Sequence, residues 1–268
     1  MKMKKLLIVL LLTVVLAACG DNTKESEGNE VLKVASLIAP MTEILDLVKP
    51  MLAEEGIELE VVVLGNNVMP NEALAAKEVD ANFFQHVPYM EQFNLNNGAN
   101  LVPVTPIYYA NYGVYAKNYK DISELPDGAV IAMANDVSNV DRSLALLAQH
   151  GVIKLKDKSE PYWTEADIIE NKKKLKFEGV DLLMLARMYD DADAVVMTPA
   201  YAAPLNLTPK SDALLTEGSD NEFGITLVAR EDNVNSDAIQ KLAKVMTSPE
   251  VRKFLEENYD ETAIPAFK

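Results

Sequence analysis

Short runs rich in apolar and β-branched residues recur along this chain with amphipathic helical stretches between them, and this alternation restricts the fold more than any other feature. The first run covers 32–39 and is followed by Pro40 and a helical pattern from Thr42. There Ile44, Leu45, Leu47, Val48, Met51 and Leu52 repeat at three- and four-residue spacing, which makes one face of a helix apolar, and Gly56 follows where such a helix ends. The pattern then repeats with an apolar run at 59–64, a helical stretch at 71–78, a short aromatic run at 82–85 and a helical stretch from Pro88. Further strand signals lie at 101–109, 113–116, 129–134, 194–197 and 224–229. The last two elements, 236–247 and 249–259, have helical periodicity, and Ser248 before Pro249 supplies an N-cap with proline in the first helical position. Strands and helices in alternation predict an α/β protein with mainly parallel sheets covered on both faces. No repeat of 20 to 50 residues is present, which argues against a solenoid.

The N-terminal segment is of a different kind. Lys2, Lys4 and Lys5 give a basic start, and residues 6–15 are apolar without a charge. A membrane-crossing helix needs about 20 apolar residues; this run stops at Ala17 and Ala18, so 1–18 is expected to be a removable export signal. The sequence Leu16-Ala17-Ala18-Cys19 resembles the bacterial lipobox, which implies acylation of Cys19 and a protein held on the extracytoplasmic face of a membrane by its acyl chains. Residues 19–30 lack apolar side chains apart from Cys19 and are expected to be a tether. Cys19 is the only cysteine, so the rest of the chain has no disulfide, and its stability must come from a packed core, for which 49% hydrophobic residues suffice. The net charge of -16 becomes -19 once the three lysines of the signal are removed, a balance that argues against nucleic acid as a partner.

Signatures of catalysis are missing from the sequence. It has no nucleophile elbow, no phosphate-binding glycine loop and no HExxH, and its only histidines are His86 and His150. His150 precedes Gly151 at the end of a helical stretch beginning at Ser138, a position where it serves structure. Asp190, Asp191 and Asp193 are expected to form a solvated turn before the strand at 194–197 rather than a cation site. No cofactor and no metal are expected, and the chain is not expected to be an enzyme. The segment Asp80-Ala81-Asn82-Phe83-Phe84-Gln85-His86-Val87-Pro88-Tyr89 puts two phenyl rings, an amide, an imidazole and a phenol at a strand-to-helix junction. In open α/β sheets ligands bind at such carboxyl ends of strands, although spacing alone favours a core strand leading into a helix.

That segment resembles the signature of the NlpA lipoprotein family, the methionine-binding proteins of ABC importers. Pro70-Asn71-Glu72-Ala73-Leu74 is similar to the family's approach to the motif. Asn135-Asp136-Val137-Ser138-Asn139-Val140-Asp141-Arg142-Ser143-Leu144 is similar to a second family block, and Arg230-Glu231-Asp232-Asn233 to a late one. The resemblance runs from the lipobox to the final helices in the family's order. It implies a two-lobed clamp of the type II periplasmic-binding-protein kind, with lobe 1 at 31–111 plus 227–268, lobe 2 at 112–226, crossovers near Tyr112 and Leu227, and the ligand held between the lobes. It also implies that Phe84, His86 and Tyr89 surround an apolar ligand side chain while Arg142 offers a two-pronged donor to the ligand carboxylate.

Three positions depart from the family pattern. Asn67 stands where a pocket tyrosine is common, Thr198 where the family has an asparagine before a Tyr-Ala pair, and Ile225 where a late strand carries another asparagine. In the family those asparagines help to hold the amino and carboxylate end of methionine. Loss of a partner to a buried charged group costs about 1.5 to 3 kcal/mol, which is one to two decades of affinity. The expected function is therefore that of a monomeric binding protein delivering methionine, or a related amino acid, derivative or short peptide, to a permease and its ATPase. The alternatives are the same fold retuned to another small carboxylate or amino acid, and a surface interaction lipoprotein without a transport role.

Overall fold

A computed structural model describes residues 30–218 and 222–268. The expected signal at 1–18, the acylated Cys19 and nearly all of the tether lie outside the described residues. The strands are β1 (Glu30–Ser36), β2 (Ile57–Val63), β3 (Ala81–Gln85), β4 (Leu101–Tyr109), β5 (Gly113–Tyr115), β6 (Val130–Ala134), β7 (Lys154–Leu155), β8 (Ile168–Glu170), β9 (Lys176–Val180), β10 (Ala194–Met197), β11 (Ala213–Thr216), β12 (Gly224–Arg230) and β13 (Ile264–Pro265). The α-helices are α1 (Met41–Glu54), α2 (Met69–Ala75), α3 (Val87–Asn97), α4 (Val137–Gln149), α5 (Leu185–Asp191), α6 (Pro199–Ala202), α7 (Pro209–Asp212), α8 (Asp237–Met246) and α9 (Pro249–Asn258).

Two larger sheets define two lobes. One has the order β13-β4-β12-β3-β1-β2 and the other the order β11-β5-β10-β6-β9, with β7 and β8 forming a separate hairpin. In the first sheet β2, β1, β3 and β4 run in one direction, and β12 is inserted antiparallel between β3 and β4. In the second, β9, β6 and β10 are parallel, and β5 is inserted antiparallel between β10 and β11. Each sheet is thus mainly parallel with one reversed strand inserted in it, seven residues in β12 and three in β5, and both inserted strands lie where the chain passes from one lobe to the other.

Alternation along the strands divides the side chains between two faces. In the first lobe Leu32, Val34, Leu227 and Ala229 join Ile44, Leu45, Val48 and Leu52 of α1 and Ile239, Leu242 and Met246 of α8 in one core. Ala35 and Val228, one position out of phase, pack with Leu74 and Met90 on the opposite face. The second lobe follows the same rule, with Val114, Ile131, Met133 and Val196 against Leu144 and Leu147 of α4. Tyr115, Ala132, Ala134 and Val195 meet Leu185 of α5 on the other side.

Three local expectations are corrected. The chain re-enters the first sheet at Gly224 rather than near Leu227, because the whole of β12 is laddered to β4, with Ile225 opposite Tyr108. Ile225 therefore projects from the first lobe and not, as the boundary at 226 implied, from the second. Asp190 and Asp191 end α5 instead of forming a turn; Asp190 pairs with Lys117 at 2.6 Å and Asp193 accepts a hydrogen bond from the Val130 N–H at 2.8 Å. Among the described residues no group of His, Cys, Asp and Glu is arranged to hold a metal ion, and no helix is long and apolar enough to cross a membrane.

Candidate functional site

The carboxyl end of β3 carries the first wall of the site. All five residues of β3 are buried, as befits a strand covered on both faces, and the chain then turns into α3 with His86 as its N-cap. His86 Nδ1 accepts a hydrogen bond from the Tyr89 backbone N–H at 3.2 Å. That nitrogen is therefore unprotonated and the proton sits on Nε2, which donates to Asn139 Oδ1 on the opposite lobe at 3.1 Å. Phe84 and Tyr89 meet edge to face with centroids 5.9 Å apart, and the Tyr89 hydroxyl donates to the Asn67 carbonyl at 2.9 Å, fixing the loop ahead of α2.

Helix α4 supplies the facing wall. Asp136 caps it by accepting from the Asn139 N–H, and Asn139 and Arg142, three residues apart, share one helical face. Asn139 Oδ1 also accepts from the Tyr112 hydroxyl at 2.6 Å while its amide nitrogen donates to Asp136. Arg142 is almost completely buried, with 1% of its side chain exposed. The rings of Tyr112 and Phe223 lie 3.9 and 4.4 Å from its guanidinium carbon.

Asn67, Phe84, His86, Tyr89, Arg142, Thr198 and Ile225, singled out in the sequence, all line one cavity between the lobes, together with Tyr108, Tyr112, Asn139 and Tyr201. The space between its walls, counting the solvent at its open mouth, is ≈ 520 Å³. Thr198 occupies the N-cap position of α6, yet its hydroxyl makes no capping bond. Ile225 adds hydrocarbon to the wall.

The structure alters one expectation at Arg142. Its Nε donates to Glu217 Oε1 at 2.7 Å, and its Nη2 donates to Glu217 Oε2 at 2.6 Å and to the Ala110 carbonyl at 2.9 Å. The fork expected to clasp a ligand carboxylate is already occupied by a carboxylate of the chain itself. Nη1 is left buried and without a partner among the described residues. Glu217 was missed because it stands 75 positions from Arg142 in a polar stretch without periodicity. Tyr112 and Phe223 were missed as well; only the late aromatic before Gly224 offered a signal, and it is weak alone.

Other motif residues turn inward to the scaffold. Asn71 Nδ2 donates to Gln85 Oε1 at 2.8 Å, and Asn71 Oδ1 accepts from Asn82 Nδ2 at 2.8 Å and from Gln85 Nε2. Gln85 Nε2 also donates to Asn82 Oδ1 at 2.9 Å. This amide network ties α2 to β3, and Gln85 brings one of its members to the cavity wall. His150 caps the end of α4, where its Nε2 donates to the Thr216 carbonyl at 3.0 Å.

Burial, and secondarily the Arg142 charge, lower the His86 pKa to about 3, against a smaller opposing effect of its bond to Asn139. The imidazole is therefore neutral in the folded protein near neutrality. Because the unfolded chain takes up this proton below about pH 6.5 and the folded one does not until far lower, folding stability attributable to His86 falls as pH drops through that window, by about 1.4 kcal/mol per unit. Urea unfolding between about pH 6.5 and 5, above the main carboxylate range, is expected to show this slope. His86→Gln is expected to flatten it, and an unchanged slope in that variant would assign the effect elsewhere.

Two mixed sheets joined by reversed strands, with an aromatic and polar cavity between them, define a bilobal solute-binding clamp. The chain belongs to the NlpA lipoprotein family, whose sequence profile matches residues 32–267. It is 38% identical over 271 residues to the methionine-binding lipoprotein MetQ of Bacillus subtilis (strain 168), covering 98% of this chain and 99% of the relative. A structure of a putative methionine-binding lipoprotein from Bacillus subtilis superimposes with a TM-score of 0.86 at 37% identity, covering 90% of this chain and 100% of that one. A nutrient binding protein from Burkholderia cenocepacia bound to methionine superimposes with a TM-score of 0.85 at 34% identity, covering 88% and 100%.

Proposed function

We propose that this protein is a lipid-anchored, extracytoplasmic binding protein that captures methionine or a closely related amino acid, derivative or short peptide and hands it to the permease and ATPase of an ABC importer. The observation that carries the reading is the buried Arg142 Nη1, unpartnered among the described residues, in an interlobe cavity walled by Phe84, His86 and Tyr89. A buried donor without a partner costs about 1–3 kcal/mol, so an oxygen brought by a solute is favoured there. Aromatic walls suit a thioether, whose sulfur gains from contact with rings. Names of relatives that bind methionine point the same way. The protein acts as a monomer anchored through Cys19, and its output is closure: the solute binds the closed form better and shifts the population that the permease meets.

The alternative, the same clamp retuned to another small carboxylate or amino acid, rests on Ile225, which puts hydrocarbon in the wall, and is not favoured by the methionine-binding relatives. Calorimetric titration of L-methionine decides between them. The Cys19→Ala protein, freed of its anchor, is unfolded and refolded first to strip carried-over solute. Micromolar or tighter binding is the expected result. Absence of heat from folded protein would reject methionine and move the search to other carboxylates and short peptides.

A further inference from the structure

We propose that Glu217 sets what the cavity's anchor can hold: by occupying the fork of Arg142 and balancing its charge, it leaves a single-nitrogen donor that accepts a solute ending in an uncharged carbonyl nearly as well as one ending in a carboxylate. The proposal rests on the reading above that the cavity takes a methionine-like solute, and it narrows the chemical class.

The donor count carries the first step. A guanidinium has five N–H donors. Three are engaged, one from Nε and two from Nη2, by Glu217 and the Ala110 carbonyl, so the unpartnered donors both belong to Nη1. Two hydrogens on one nitrogen cannot form the parallel two-nitrogen fork that makes arginine selective for carboxylates. Charge carries the second step. Among the described residues Arg142 is the only Lys, Arg, Asp or Glu lining the cavity, and the carboxylate that balances it lies against it with 8% of its side chain exposed. The wall thus presents an ion pair of zero net charge.

Displacement of Glu217 by an incoming carboxylate is opposed by its other bonds. Glu217 Oε2 accepts from the Tyr112 N–H at 2.7 Å, and the Glu217 N–H donates to the Tyr112 carbonyl at 2.9 Å. These bonds tie the two interlobe segments to each other and to α4. A solute that evicted Glu217 would leave a buried carboxylate without its cation, a strongly unfavourable change. Glu217 therefore acts through Arg142 as a positioning residue.

The test compares L-methionine with L-methioninamide, which replaces only the carboxylate, by titration at about pH 6 so that both amines are protonated. In the parent Cys19→Ala protein the ratio of the two dissociation constants is expected to stay below about tenfold, the lower end of what a charged partner is worth. Glu217→Gln exposes the guanidinium charge and is expected to raise the preference for methionine at least about tenfold further. Glu217→Asp keeps the charge and is expected to leave the ratio within about threefold, whereas a merely structural role would move both variants alike. A parent ratio above about a hundredfold, or an unchanged ratio in Glu217→Gln, would overturn the proposal.

If Glu217→Gln does not fold, the double variant Arg142→Met with Glu217→Met serves instead. Both affinities are then expected to fall together, and a loss more than about tenfold greater for methionine would overturn the proposal. If the parent protein binds neither solute, the reading of the function fails, and Glu217 is tested without it. Sodium formate at constant ionic strength is expected to raise the melting temperature of Glu217→Gln and not that of the parent, since only an unbalanced guanidinium recruits the anion. Equal stabilisation of the two would count against the inference.

Discussion

Replacing Arg142 by alanine is expected to cost the protein about 3–5 kcal/mol of folding stability and to eliminate measurable binding of methionine. The stability loss follows from what remains. Glu217 stays buried with its carboxylate supported, among the described residues, by the Tyr112 N–H alone, while the rings of Tyr112 and Phe223 lose the guanidinium they pack against. The binding loss follows from removal of Nη1, the buried donor left for a solute. Urea unfolding and calorimetric titration of the same variant separate the two effects. Arg142→Met with Glu217→Met, which removes both charges and keeps volume, is expected to recover most of the stability without restoring parental affinity, because replacing a buried pair by apolar groups is often neutral. Undiminished affinity in Arg142→Ala would remove this residue from the site.

Much of the fold was legible because the central strands are covered on both faces and therefore apolar throughout. The run at 194–197 coincides with β10, which is buried along its whole length, and the run at 101–109 with β4, which is buried only at Leu101, Ile107 and Tyr108. By contrast β9, at the edge of the second sheet, reads Lys-Phe-Glu-Gly-Val, with exposed residues on most of its length, and gives no periodic signal. The two-residue β13 is likewise too short to show one. The aromatic side of the cavity was readable because Phe84, His86 and Tyr89 are close neighbours in sequence at a strand-to-helix junction. The charged side was only half readable. A lone glutamate has no pattern of its own, and its pairing with Arg142 arises from the return of the chain between lobes, which local periodicity does not encode. The return at Gly224 was placed three residues late for the same reason: it is fixed by the slot between β3 and β4 that β12 fills.

The motif residues divide by the direction their polar atoms take, and Asn71 tests the division. Its side chain is completely buried and bonds to Gln85 and Asn82, whose amides have each other as their remaining side-chain partners. Asn71→Ala removes one donor and one acceptor shared by two neighbours, and leaves buried amide groups of Asn82 and Gln85 short of partners. At about 1–3 kcal/mol for each buried group left unsatisfied, a loss of about 3 kcal/mol is expected in urea unfolding, comparable with the effect at Arg142. Asn71 does not line the cavity, however, so the folded fraction is expected to bind methionine within about tenfold of the parent, about 1.4 kcal/mol at most. Stability and affinity should therefore move apart at Asn71 and fall together at Arg142. A variant at Asn71 that kept its stability and lost binding would place this amide among the solute's contacts and reverse the assignment of the network to the scaffold.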